Sequence, residues 1–160
     1  MATAVYKFYT KPFKHQRDCF LVSHDLPAFA YLMEMRTGKT KVVLDEVAAL
    51  ARVGRVSLLV VVAPLGVHAG WLAELTAHGP RDLRVRAHAW RGGQTLREQR
   101  EISRLQQQPR QKPFQYDLAM FTINWDAVIT AAGRHALERL TFAHAGRVYL
   151  AADAAHRMKS

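Results

Sequence analysis

The stretch VSLLVVVA, closed by Pro64, restricts the fold more than any other part of the chain. From Leu58 to Ala63 it is wholly apolar and rich in β-branched residues. It is too short for a buried helix and too uniform to leave one face in water. A strand over Ser57–Ala63 that is apolar on both faces is the pattern of a parallel sheet covered on each side. The segments around it alternate in the way such a sheet requires. KHQRDCFLVSH after Pro12 predicts a short helix, and AFAYLM (28–33) has strand length and composition. KTKVVLDEVAALARVG places Val43, Val47, Leu50 and Ala51 at helical spacing, with Gly54 as its stop. A helix over GVHAGWLAELTAH, a strand over LRVRAHAW and a polar helix over TLREQREISRLQQQ follow. QQQPRQKPFQ reads as a loop, DLAMFTI (Asp117–Ile123) as a strand, and Asn124 as the cap of a helix beginning at Trp125. RVYLAA (Arg147–Ala152) is the last strand. This alternation predicts an α/β fold with βαβ units and a mostly parallel, doubly wound sheet, whose strand C-terminal ends form one ligand-binding edge.

Composition narrows the class. The 160 residues fit one domain. A hydrophobic share of 49% with 22% charged residues is that of a folded globule. No apolar run approaches the roughly 20 residues that span a bilayer, and the N-terminus has no signal-peptide core, so no membrane partner is expected. A single cysteine, Cys19, excludes an internal disulfide and a cysteine zinc cluster, and a reducing, cytoplasmic setting is expected. The net charge of +10 favours contact with polyanions, nucleic acid first. The eight histidines show no metal-ligand spacing. Trp71, Trp90 and Trp125 lie beside predicted elements and are expected to pack, as are Ser57 and Cys19.

Chemistry begins at EMRTGKT, Glu34 to Thr40, between a predicted strand and a predicted helix. That is the context of a phosphate-binding loop. Backbone N–H groups and the positive helix end cradle phosphate oxygens, the lysine reaches the terminal phosphates, and the threonine hydroxyl ligates Mg²⁺. Thr37, Gly38, Lys39 and Thr40 are therefore the candidate ATP-binding residues. The usual Gly-x-x-x-x-Gly-Lys-Ser/Thr pattern has glycine where this chain has Met33.

With the loop placed, the remaining segments resemble, in order, the motifs of the first RecA-like lobe of Swi/Snf-type superfamily two helicases and DNA translocases. YLMEMRTGKT resembles motif I, whose usual form has glycine at Arg36. FKHQRDCF resembles the glutamine motif, with Gln16 in the adenine-reading position. LLVVVAPLGVHAGWLAEL resembles motif Ia, FTINWDAV the later segment often read as Thr-Asn-Tyr-Glu-Ala-Leu, and VYLAADAAHRMKS resembles motif II. The resemblance implies a three-layer P-loop (RecA-like) lobe over 1–160, binding Mg-ATP with Thr40 and Asp153 at the metal. It implies nucleic-acid contact, DNA before RNA, through Pro64, Leu65, His68, Asn124 and Trp125.

The same resemblance exposes two departures. Motif II has glutamate after its aspartate to orient or activate the attacking water, and here Ala154 follows Asp153. Hydrolysis is expected to fall by the ~10²–10⁴ of a general base, with His156 left as a possible coupling residue. The family also uses a second lobe and a strand after motif II, inserted between the motif I and motif II strands. Neither is found in these residues, so an incomplete lobe truncated after the motif II strand is expected. Either its motif I and motif II strands pair directly, another chain supplies the missing strand, or the chain is a fragment; the open edge is then a candidate for a protein partner or self-association.

Basic residues outside the motifs add a second candidate surface. Arg97, Arg100, Arg104, Arg110 and Lys112 form the best backbone-contacting patch, set against a solvated face paired with Glu98 and Glu101. Lys11, Lys14 and Arg17 either meet phosphate or are solvated. Three functions compete: an ATP-binding lobe with impaired hydrolysis, a non-catalytic binding module, decoy or inhibitor of nucleic-acid machinery, and, less favoured, a small P-loop kinase without an arginine-bearing lid.

Overall fold

The computed structural model describes residues 6–34, 36–92, 95–107 and 117–153. The apolar run forms β1 (Leu58–Ala63), buried at every position. β3 (Leu118–Asn124) pairs with one side of β1 and β4 (Val148–Ala152) with the other, both parallel. β2 (Val85–Ala89) joins the far side of β3, also parallel. The sheet order is therefore β2-β3-β1-β4, and Val60 lies opposite both Phe121 and Leu150.

Strand alternation divides the core between two faces. Leu58, Val60 and Val62 pack with Ala119, Phe121 and Ile123 under α4 (Leu96–Gln106), α5 (Trp125–Val128) and α6 (Ala131–Ala143). Leu59, Val61 and Ala63 pack with Leu118 and Met120 under α2 (Lys39–Arg52) and α3 (Gly70–His78). The result is the expected three-layer α/β architecture with an all-parallel sheet. Each fully buried Leu, Val or Phe contributes about 1.5–3 kcal/mol over its exposed state, so the fully buried β1 and β3 are major sources of apolar burial. α1 (Lys14–Ser23) lies outside this sandwich and packs on α2.

The end of α2 sets the direction of the layer. Gly54 takes φ 75°, and the N–H groups of Gly54 and Arg55 donate to the carbonyls of Ala51 and Leu50 at 3.0 and 2.9 Å. This Schellman stop needs a left-handed residue, which glycine supplies at no steric cost. The short link 53–57 then returns the chain into β1, so α2 runs antiparallel to the strands. Its first turn lies at their C-terminal edge.

Three expectations are corrected. Residues 28–33 form no strand and do not pair with β4. Their apolar side chains are largely in solvent, Leu32 at 93% exposure, and only Tyr31 packs against the core. The helix from Trp125 lasts one turn, and Asn124 sits at its N-cap without a side-chain cap bond. Thr130 restarts the chain as α6, accepting from Gly133 N–H at 3.0 Å. Finally, Glu98 is buried, not part of a solvated face. It bonds His88 at 2.9 Å, while Glu101 makes the expected surface pair with Arg104 at 2.8 Å. The loop read over QQQPRQKPFQ, with Arg110 and Lys112, lies almost wholly outside the described residues.

One buried histidine ties the α6 side together. His144 Nε2 donates to the Leu105 carbonyl at 2.7 Å, and Nδ1 meets the Ser57 hydroxyl at 2.8 Å. This pins α4, the entrance of β1 and the end of α6 to one imidazole. Burial, with help from Arg147, lowers its pKa below the ordinary histidine value. The folded state therefore binds this proton less readily than the unfolded chain, whose histidine titrates near about 6.5. The stabilisation is fully present above that pH and is lost as pH falls toward the depressed folded value. Urea unfolding is expected to show stability falling between pH 7.5 and 5.5. His144→Ala should cost about 2 kcal/mol at the higher pH and flatten that dependence.

Candidate functional site

The loop before α2 is shaped by two left-handed residues. Arg36 takes φ 62° and Gly38, the N-cap of α2, takes φ 79°. A non-glycine residue in that region costs roughly 1–2 kcal/mol. Thr37 Oγ1 donates to the Glu34 carbonyl at 2.7 Å, and Lys39 Nζ donates to the carbonyls of Met33 and Glu34 at 2.8 and 3.3 Å. The lysine thus folds back over its own loop. Thr40 follows it, half-buried, in the first turn of α2.

α1 supports the loop from the other side. Gln16 is buried, its Oε1 accepts from Phe13 N–H at 2.9 Å, and its Nε2 donates to the carbonyls of Thr37 at 3.2 Å and Gly38 at 3.4 Å. His15 Nε2 donates to the same Thr37 carbonyl at 2.9 Å. A β-carbon on Gly38 would collide with Gln16 Nε2, so a larger residue here has to displace that amide as well as adopt a left-handed φ.

The strand ends complete the edge. Asp153 N–H donates to the Val62 carbonyl at 2.7 Å, continuing the β4–β1 ladder by one residue. The Asp153 carbonyl accepts from Trp125 Nε1 at 3.1 Å. Asn124 ends β3 in register with Ala63, immediately before Pro64. Thr37, Gly38, Lys39 and Thr40 therefore share one edge of the sheet with Asp153, Pro64 and Asn124. Ala154 and His156 lie outside the described residues.

The residues proposed for nucleic acid do not form one surface. Leu65 is exposed and Pro64 half-buried, but His68 is buried, with Nε2 donating to the Trp90 carbonyl at 3.0 Å. That geometry removes His68 from a contact surface. Asn124 is buried and the indole N–H of Trp125 is spent on Asp153, while Trp71 and Trp90 are core residues. Arg97, Arg100 and Arg104 are exposed along α4, opposite its buried Glu98, Ile102 and Leu105.

Sequence reading missed a polar cluster behind the loop. Buried Lys41 and Asp45 pair at 2.7 Å, and desolvation raises the Asp45 pKa despite that partner. Glu46, also buried, accepts from Ser23 Oγ and, at 2.6 Å, from Tyr149 OH, while Tyr31 OH donates to Ser23 Oγ at 3.1 Å. Burial and the Glu46 carboxylate hold the Tyr149 hydroxyl far above the usual tyrosine pKa. The Lys41–Asp45 spacing of four was readable on a helix. The Glu46–Tyr149 contact, 103 residues apart, had no local signal. Among the described residues no group of three or more side chains is arranged to hold a metal ion.

In comparison with known proteins, no family model matches the chain. No curated protein matches it either.

Two glycines with the same backbone conformation separate space from strain. Gly38→Ala is expected to destabilise the fold by about 2–3 kcal/mol, from left-handed strain of about 1–2 kcal/mol plus displacement of Gln16. Gly54→Ala, with nothing near its β-carbon, should cost only the conformational part. Urea unfolding of both variants checks the difference.

Proposed function

We propose that this chain is an ATP-binding lobe of a nucleic-acid-dependent ATPase, of the helicase or DNA-translocase type, in which hydrolysis is impaired. The observation that carries the reading is the Gly38-Lys39-Thr40 turn. It opens α2 at the C-terminal edge of a parallel sheet, with the Gly38 carbonyl held by Gln16 and the preceding Thr37 carbonyl by Gln16 and His15. In this reading the phosphates of Mg-ATP lie against the loop and the α2 N-terminus, where N–H groups and the helix dipole favour anions. Lys39 exchanges its two loop carbonyls for phosphate oxygens. Thr40 and Asp153 would hold the Mg²⁺, which would supply charge neutralisation for the phosphates.

The impairment rests on Ala154. A methyl group neither takes a proton from water nor orients it, so bound nucleotide persists where a glutamate would promote its cleavage. Nucleic acid is the proposed partner, DNA before RNA, through the basic charge and the exposed Arg97, Arg100 and Arg104. A second reading, a non-catalytic binding module, decoy or inhibitor, is favoured by β4. Its far side meets no strand among the described residues, and an exposed edge accepts an added strand.

Titration calorimetry with Mg-ATP decides between them. Saturable binding to the wild-type chain, lost by at least about a hundredfold in Lys39→Ala as roughly 3 kcal/mol of charge-assisted contacts disappears, supports the first. A folded chain that binds no nucleotide removes it and leaves the partner-binding reading.

A further inference from the structure

We infer that Gln16 is a positioning residue that aims the phosphate-binding N–H groups of the loop, and that it does not select the base. A glutamine amide has one acceptor oxygen and two N–H donors. Here Oε1 is engaged by Phe13 N–H, and Nε2 is shared between the carbonyls of Thr37 and Gly38. The side chain is 4% exposed. Reading a base edge takes a donor and an acceptor presented together to the ligand. Oε1 keeps a second lone pair, but both N–H donors are committed, so Gln16 cannot present the donor–acceptor pair without giving up its hold on the loop.

What that hold accomplishes follows from peptide geometry. A trans peptide is planar, with its C=O and N–H directed to opposite sides. Fixing the Thr37 carbonyl toward α1 sends the N–H of Gly38 the other way, and fixing the Gly38 carbonyl does the same for the N–H of Lys39. Two backbone donors are thereby aimed outward at the start of α2. The Gly38 carbonyl also accepts from Lys41 N–H at 3.1 Å, which locks the first turn. Gly38 lacks the β-carbon that would displace Gln16, so glutamine and glycine form one interlocked device. His15 adds a second donor on the Thr37 carbonyl.

The consequence for ligand choice rests on the nucleotide-binding reading above. With its only buried amide committed to the loop, α1 contributes to triphosphate affinity and not to base discrimination. The chain should bind ATP, GTP and inorganic tripolyphosphate through the same brace. Gln16→Ala is expected to weaken all three by a similar factor of about tenfold, the order of two lost hydrogen bonds. Gln16→Glu keeps the acceptor for Phe13 N–H and so keeps the α1 cap, but it has no donor for the two carbonyls. Amide hydrogen exchange at Lys41, whose N–H donates to the Gly38 carbonyl, should speed up in that variant while the amides of β1 stay protected.

Calorimetry with the three ligands and exchange on the two variants test the inference. A loss confined to ATP, with tripolyphosphate affinity unchanged in Gln16→Ala, would assign Gln16 to the base and overturn it. If the wild-type chain binds none of the three, the nucleotide reading fails. The exchange result still decides the brace: unchanged protection at Lys41 in Gln16→Glu refutes it, and faster exchange there upholds it.

Discussion

Everything in this molecule is organised by β1, a strand hydrogen-bonded on both sides and covered on both faces. A polar side chain in such a strand costs a few kcal/mol unless it is hydrogen-bonded, and β1 carries none from Leu58 to Ala63. The register it imposes has a consequence beyond stability. Ala63 lies opposite Asn124, Val62 opposite Ala152, and Asp153 takes the next carbonyl, that of Val62. The chain leaves all three strands within about one residue of the same level. The edge that gathers Pro64, Asn124 and Asp153 is thus set by core packing, before any functional group is considered.

The loop before α2 adds the second constraint, from outside the sheet. Two left-handed residues in three positions are unfavourable for Arg36 and acceptable for Gly38. Hydrogen bonds from Thr37, Lys39, Gln16 and His15 converge on the carbonyls of Met33, Glu34, Thr37 and Gly38. Bonds of about 1 kcal/mol each are enough to offset one strained residue. Among the described residues of the loop, the carbonyls of Met33, Glu34, Thr37 and Gly38 are thus occupied from within.

Much of this was legible because local chemistry and tertiary packing agree. The apolar run of β1, the helical spacing of Val43 and Val47 and the stop at Gly54 each say in sequence what they do in the fold. AFAYLM failed because apolar composition alone does not say whether a neighbour exists to pair with. Without a ladder, Leu32 is left in water and the Leu32 N–H turns back to Ala30 at 3.1 Å. Glu98 looked like a surface acid because its helix carries arginines, yet it falls on the buried stripe with Ile102 and Leu105. Its position in that stripe was readable, but its partner His88 was not. Motif order assigns Gln16 to an adenine base, whereas in the structure it meets the loop before α2. Which atoms of the loop it meets depends on the packing of α1 on α2, which no local pattern encodes.

The unpaired segment 28–33 shows how side chains can take over the work of a ladder. Tyr31 reaches Ser23 on α1, Ser23 reaches Glu46 on α2, and Glu46 receives Tyr149 from β4. A carboxylate in that position is affordable only because two hydroxyls supply its hydrogen bonds in place of water. The chain of contacts fixes the segment leading into the loop relative to the strand leading into Asp153. Removing a hydroxyl from it leaves Glu46 buried with a partner missing, so the penalty falls on the spacing between loop and strand end as well as on stability. The two halves of the edge are held in register by β1 on the sheet side and by Glu46 behind α2. The loop is therefore positioned without being part of the sheet.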